Sequence, residues 1–242
     1  MQIAHIYPIK NMGRMYTQKY NMLLTHLALS SKEYFEHAKE LCKKSYTILD
    51  NSLIENSGVA IDISTVCDVA DSLRVSEIIL PDVFQNGPAT IKSVMESLDY
   101  LYNRYPNGIP FKLQAVAQGK DPDEFTECFK TLESFVDIDV IGIPKILAKS
   151  NPRGRLAFEE LWQNTNKEIH LLGLYYSFSE LLQYKNPSKI RSCDTCHLSF
   201  LITHDLSIFS VRPDGFTIDL ENDYFPSSKY VKGKVALECL IR

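Results

Sequence analysis

Asp50, Asp82 and Asp194 stand at the ends of short apolar runs, YTILD, SEIILPD and IRSCD, and Gln118 with Gly119 ends a fourth, FKLQAVAQG. Gly142 in DIDVIGIP and Gly173 in EIHLLG occupy matching places in two more. Any one of these is ordinary where a loop begins. As a set they can hold a flat heterocycle with an amidine-like edge. Carboxylates accept from ring N–H and exocyclic amine groups, while an amide and exposed backbone N–H groups donate to a carbonyl. Guanine fits that description. A further carboxylate on the opposite side could attack C1′ of an attached sugar, because the base leaves through an oxocarbenium-like transition state that an anion stabilises. The pattern predicts glycosidic exchange or hydrolysis.

The stretch IRSCDTCHL, residues 190–198, offers competing chemistry. A structural zinc site wants four ligands, commonly in two close pairs, and no second pair accompanies Cys193, Cys196 and His197. A redox dithiol would open a helix after the first strand of a small domain, a context missing here. Cys193 and Cys196 therefore read as small apolar neighbours of Asp194. No metal is expected. His170, inside an apolar run, reads as a hydrogen-bonded core histidine, and Glu55 lies close enough in sequence to Asp50 to support its loop or its protonation.

Such residues need a scaffold that brings strand ends to one place. From about residue 22 onward the chain alternates short apolar runs with amphipathic stretches of roughly a dozen residues, the signature of βα units. Seven units are clear, beginning with MLLTHLAL, YTILD, SEIILPD, FKLQAVAQG, DIDVIGIP, EIHLLG and IRSCD. An irregular eighth would use DGFTIDL as strand and KGKVALECLIR as closing helix. Continuous apolar strands alternating with helices imply a parallel sheet covered on both faces. At 242 residues, a single (β/α)8 TIM-type barrel spanning 1–242 is the expected α/β architecture, with its site at the strand C-termini. A doubly wound open sheet is the alternative, but HLALSSKEY stands where a Gly-rich phosphate loop would follow the first strand.

Composition narrows the setting. With 45% hydrophobic and 23% charged residues, and no run of 18 apolar residues, the chain reads as a soluble globular protein with no membrane partner. The segment MQIAHIYPIKNMGRMY carries charges and a proline where a secretory signal would place an apolar core, which predicts a cytoplasmic location. The six cysteines show no framework spacing, so reduced thiols are expected. A net charge of −4 argues against a general nucleic-acid coat and leaves room for a local basic strip.

The motifs YTILDNS, LPD, AVAQG, VIGIP, HLLG and IRSCDT, in that order and at these separations, resemble those of the tRNA-guanine transglycosylase superfamily. The nearest likeness is to the shorter DpdA-type enzymes that place 7-deazaguanines in DNA. The resemblance covers about residues 45–205. It implies that Asp194 is the nucleophile that holds the sugar covalently while guanine departs. It implies that Asp50 is the acid/base that takes a proton from the incoming 7-deazaguanine. Asp82 would accept from the base's N1–H and 2-amino edge. Gln118 and the backbone around Gly119, Gly142, Ile143 and Gly173 would meet its polar edge, and Leu172 would pack on its face. No cofactor is implied.

This sequence also departs from the tRNA enzymes. After Asp50 it has Asn51, Ser52, Leu53 and Ile54 instead of a glycine pair and an aromatic residue, so an aliphatic stacking surface is expected. Pro144 follows Gly142 and Ile143 in place of a second glycine. The cysteine-rich zinc segment that supports tRNA binding is missing, which shifts the expected partner from tRNA to DNA. Lys145, Lys149, Arg153 and Arg155, and then Lys185, Lys189 and Arg191, are placed in two basic stretches expected to face phosphates. The free 7-deazaguanine base, a preQ0-like molecule, is the other expected partner, with a homodimer or accessory subunit to extend the surface. The same exchange on tRNA or a nucleoside, or a non-catalytic binding subunit, are the alternatives.

Overall fold

The structure, a computed structural model, describes residues 1–12, 18–145, 154–174, 178–196 and 219–221. Eight parallel strands close a barrel in chain order: β1 Gln2–His5, β2 Tyr20–Leu24, β3 Tyr46–Asp50, β4 Glu77–Ile79, β5 Lys112–Val116, β6 Val140–Pro144, β7 Glu168–Leu172 and β8 Ile190–Thr195. The (β/α)8 architecture is thus present, with its strands allotted differently from the expectation. The seven units read from sequence are β2 to β8, and the closing strand is the N-terminal QIAH. It pairs with β8 from Gln2 opposite Ser192 to His5 opposite Thr195. DGFTIDL, apart from Asp219 and Leu220, and KGKVALECLIR lie outside the described residues, and the barrel closes without them.

Helices cover the outside: α1 Ile9–Met12, α2 Thr25–Ser30, α3 Lys32–Cys42, α4 Ile63–Leu73, α5 Gly87–Arg104, α6 Pro122–Ser134 and α7 Glu159–Gln163. Their starts follow from side chains that satisfy orphan N–H groups. Asp62, Asn86 and Asp121 accept from Thr65, Ala89 and Glu124 at 3.0, 3.0 and 2.9 Å, and Ser31 accepts from Tyr34 at 3.2 Å. Pro88 and Pro122 sit in the first turns of α5 and α6, where no N–H is needed. THLAL, read as strand, is helical instead. Thr25 turns its hydroxyl onto the Asp50 carbonyl at 2.5 Å, and the chain leaves the sheet there.

Because side chains alternate across a strand, each strand serves two layers. Leu23, Leu49, Ile78, Ala115, Ile141 and Leu171 face outward into a large core with Phe125, Phe129 and Trp162 from the helices. Ala4, Met22, Ile48, Ile79 and Val116 form a smaller inner cluster. Below it a charged network closes the N-terminal end of the barrel. Arg191 of β8 reaches Glu77 of β4 at 2.6 and 3.0 Å and Glu168 of β7 at 3.1 Å. In a closed eight-strand barrel β4 and β8 lie opposite, so this ion pair crosses the interior. Lys112 adds a 2.8 Å bond to Glu168, and Tyr46 donates to Glu77 at 2.6 Å. No helix among the described residues is long and apolar enough to cross a membrane.

Candidate active site at the barrel mouth

A cavity of about 190 Å³ opens at the strand C-termini. Asp50, Asp82 and Asp194 all line it, with Gln118, Leu172 and Gly173. The volume is below the roughly 300–1,000 Å³ of drug-sized sites, which suits a planar bicyclic base better than a whole nucleotide. Its walls are largely apolar, from Ile6, Met22, Leu24, Ile79, Val116 and Pro144.

Asp194 is 7% exposed, and its Oδ1 accepts from the Gly173 N–H at 2.8 Å and from His170 Nε2 at 3.1 Å. His170 is fully buried, and its Nδ1 lies 2.8 Å from Ser192 Oγ. A carboxylate can only accept, so the proton on Nε2 points at Asp194 and Nδ1 faces the serine hydroxyl. Among the described residues Oδ2 has no bonded partner and is the oxygen free for chemistry. His170 is thus a core histidine with both nitrogens engaged, as read from sequence, and it is also the partner of Asp194, which the sequence reading missed.

Asp82, 4% exposed, is gripped by two amides, Asn51 Nδ2 at 2.7 Å and Gln118 Nε2 at 2.6 Å. Burial pushes its carboxyl above the usual range, and these two donors act against the push. Gln118 in turn accepts from the Gln85 N–H at 3.1 Å. Asn51 also donates to the Leu80 carbonyl at 2.8 Å, tying the β3 loop to the β4 loop. Asn51 is therefore part of the site, a role the sequence reading did not give it.

Asp50 accepts from the Ser52 N–H at 2.7 Å. Its carboxyl holds its proton well above the ordinary range, first through desolvation and then through the negative charges of Glu55, Asp194 and Asp82. Ser52 reaches this position with φ 56°, a left-handed conformation uncommon for a side-chain-bearing residue, and its buried hydroxyl meets His26 Nδ1 at 3.0 Å. Burial lowers the proton affinity of His26.

Other expected site residues fall elsewhere. Gly142 and Ile143 lie in the β6 ladder behind the lining residues, and their carbonyls accept from Ala117 N–H at 3.0 Å and Arg155 at 2.8 Å. Gly142 has a spatial role instead: a Cβ there would stand 2.8 Å from Gln114 Nε2 and 2.9 Å from a Leu172 methyl. Gly119 lets α6 approach, since its Cβ would lie 2.3 Å from the Phe125 nitrogen. Leu53 and Ile54 line the cavity, and Phe84, two residues after Asp82, adds an aromatic ring to the lining.

The basic strips need correction. Arg155 is 1% exposed and bonded to Glu180 at 2.6 Å, so it faces no phosphate. Arg191 belongs to the charged network at the opposite end of the barrel. A bulge explains its direction: Ile169 pairs with Ile190 but His170 pairs with Ser192, so Arg191 is the extra residue and turns inward. Lys189 is exposed just before β8 begins, also at the N-terminal end, as is Lys185. Arg153 and Lys149 lie outside the described residues. Lys145, directly after β6, does line the cavity. Cys193 is buried in the outer core, Cys196 lines the cavity, and His197 lies outside the described residues.

No family model and no curated protein matches this chain in sequence.

Proposed function

We propose that the protein exchanges a nucleic-acid guanine for a 7-deazaguanine through a covalent intermediate, with DNA as the substrate. The observation that carries this reading is the convergence of Asp50, Asp82 and Asp194 on one base-sized cavity, each held by amide, backbone N–H or imidazole donors and, among the described residues, none by a lysine or arginine. Two carboxyl groups in different environments are the requirement for splitting nucleophile from acid/base. In this reading Asp194 Oδ2 attacks C1′, the C1′–N9 bond breaks, and the departing guanine takes the electron pair and, at N9, the proton that Asp50 holds, which leaves Asp50 as a carboxylate. Asp50 then removes the N9 proton of the incoming base, N9 attacks C1′, and Asp194 is released. Two displacements give net retention.

Asp82 accepts from the N1–H and 2-amino edge, with Gln118 beside it, and Leu172, Leu53 and Phe84 sandwich the ring. A target within duplex DNA must be flipped out to reach so enclosed a site. The resemblance of the ordered motifs to the DpdA-type transglycosylases favours DNA over tRNA. Among the described residues the phosphate contact near the mouth falls to Lys145, which makes a second subunit a reasonable supplier of further contacts. The protein incubated with guanine-containing DNA and a 7-deazaguanine should give a denaturant-resistant protein–DNA adduct and labelled-guanine exchange. Asp194→Ala should abolish both and Cys193→Ala neither. Absence of adduct and exchange on DNA and on tRNA would reduce the cavity to a binding site.

A further inference from the structure

We infer that Arg155, paired with Glu180, is a positioning residue that acts on Asp194 through the Leu172–Gly173 peptide. This rests on the reading of Asp194 as nucleophile.

The geometry is a continuous chain of bonds. Arg155 Nη1 donates to the Leu172 carbonyl at 3.1 Å, and the N–H of that same peptide unit, on Gly173, donates to Asp194 Oδ1 at 2.8 Å. A cation on the carbonyl oxygen and a carboxylate on the amide hydrogen polarise the peptide in the same sense. Each bond strengthens the other in a low-dielectric setting. The Lys145 N–H shares the Leu172 carbonyl at 3.1 Å. Arg155 also holds the next carbonyl, Gly173, at 2.5 Å and that of Ile143 at 2.8 Å. One guanidinium thus fixes the ends of β6 and β7 around a glycine with φ 65°.

Nothing about packing alone calls for a charge here. A buried arginine needs its own counter-ion, and Glu180 supplies it through bonds at 2.6 and 3.1 Å, with Tyr184 donating to Glu180 at 3.0 Å. An apolar side chain of similar volume would avoid the cost of burying a charge but would leave the Ile143 and Gly173 carbonyls without this donor. What it would not do is grip the peptide whose N–H holds Oδ1 and leaves Oδ2 to react.

The test uses two variants whose effects differ in sign. In Arg155→Met/Glu180→Leu the pair is removed together, so no buried charge is left alone. Adduct formation should slow by about tenfold with little change in KM, as for other supporting residues behind a reacting group. The Gly173 amide proton should move upfield in the NMR spectrum as its bond to Asp194 weakens. In Glu180→Gln the cation stays and loses its counter-charge, so the same proton should move downfield. A shift of the same sign in both, or wild-type adduct rate and Gly173 resonance in the double variant, would overturn the inference. Wild-type protein that forms no adduct at all would instead overturn the reading of Asp194, while the Gly173 shifts would still report on the chain of bonds.

Discussion

The two ends of this barrel treat carboxylates in opposite ways. At the N-terminal end Glu77 and Glu168 are matched by Arg191 and Lys112, and Glu168 is held below its ordinary range because Lys112 and Arg191 outweigh the burial that would raise it. At the mouth Asp50, Asp82 and Asp194 are held by amides, backbone N–H groups and a histidine. Burial there raises Asp50 and Asp82 instead. A matched pair is finished chemistry, since its charges are spent on each other. An unmatched carboxyl keeps its capacity to move a proton or attack a carbon, which is the division between stabilising and active faces known in this architecture.

That contrast can be broken at either end. The largest effect is expected for Asp194→Asn, which keeps the shape and one acceptor but removes the anion. Exchange should fall on the order of 10⁴-fold or more in a steady-state assay, with thermal stability near wild type. Arg191→Met should do the reverse. It leaves the fully buried Glu77 without its cation, at a cost of about 3–5 kcal/mol in chemical denaturation, with a far smaller effect on exchange than Asp194→Asn.

Asp50→Asn joins the two properties. Activity should drop by about 10²–10⁴, as for loss of a positioned acid/base. Stability should move the other way, with a sign fixed by linkage. The folded protein holds the Asp50 proton more firmly than the unfolded chain, so above about pH 4 this residue's contribution falls as pH rises. The variant should therefore melt higher at pH 7.5, by about 2–4 °C for each kcal/mol relieved, and show no gain near pH 4. The smallest effect is expected for Lys145→Ala, which should weaken DNA binding and lower the slope of log affinity against log salt by about one.

The sequence was most legible where apolar runs end. Reading the residue at each strand terminus found Asp50, Asp82, Gln118, Gly173 and Asp194, because a barrel brings strand ends together whatever the loops do. The closing strand QIAH escaped because four residues, two of them polar and with Pro8 soon after, carry too little periodicity, and only pairing with β8 makes them a strand. Charge misled most. Arg155 and Arg191 sit in runs that look solvated, yet their partners Glu180 and Glu77 lie 25 and 114 residues away, and a bulge turns Arg191 inward. Gly119 and Gly142 read as donors because glycine marks exposed backbone as often as it marks close approach, and here it is the latter. His170 and Asn51 were visible as residues but not as partners, since their contacts are made across strands.

The seam between β1 and β8 sets Ala4 beside Asp194. The strand that carries Asp194 therefore leans on a distant one, and the ring is sealed only when stretches 190 positions apart have met. Contacts of that span form late in folding. The α/β layers can bury their apolar faces before then, yet the wall of the cavity beside Asp194 is complete only once the ring has shut.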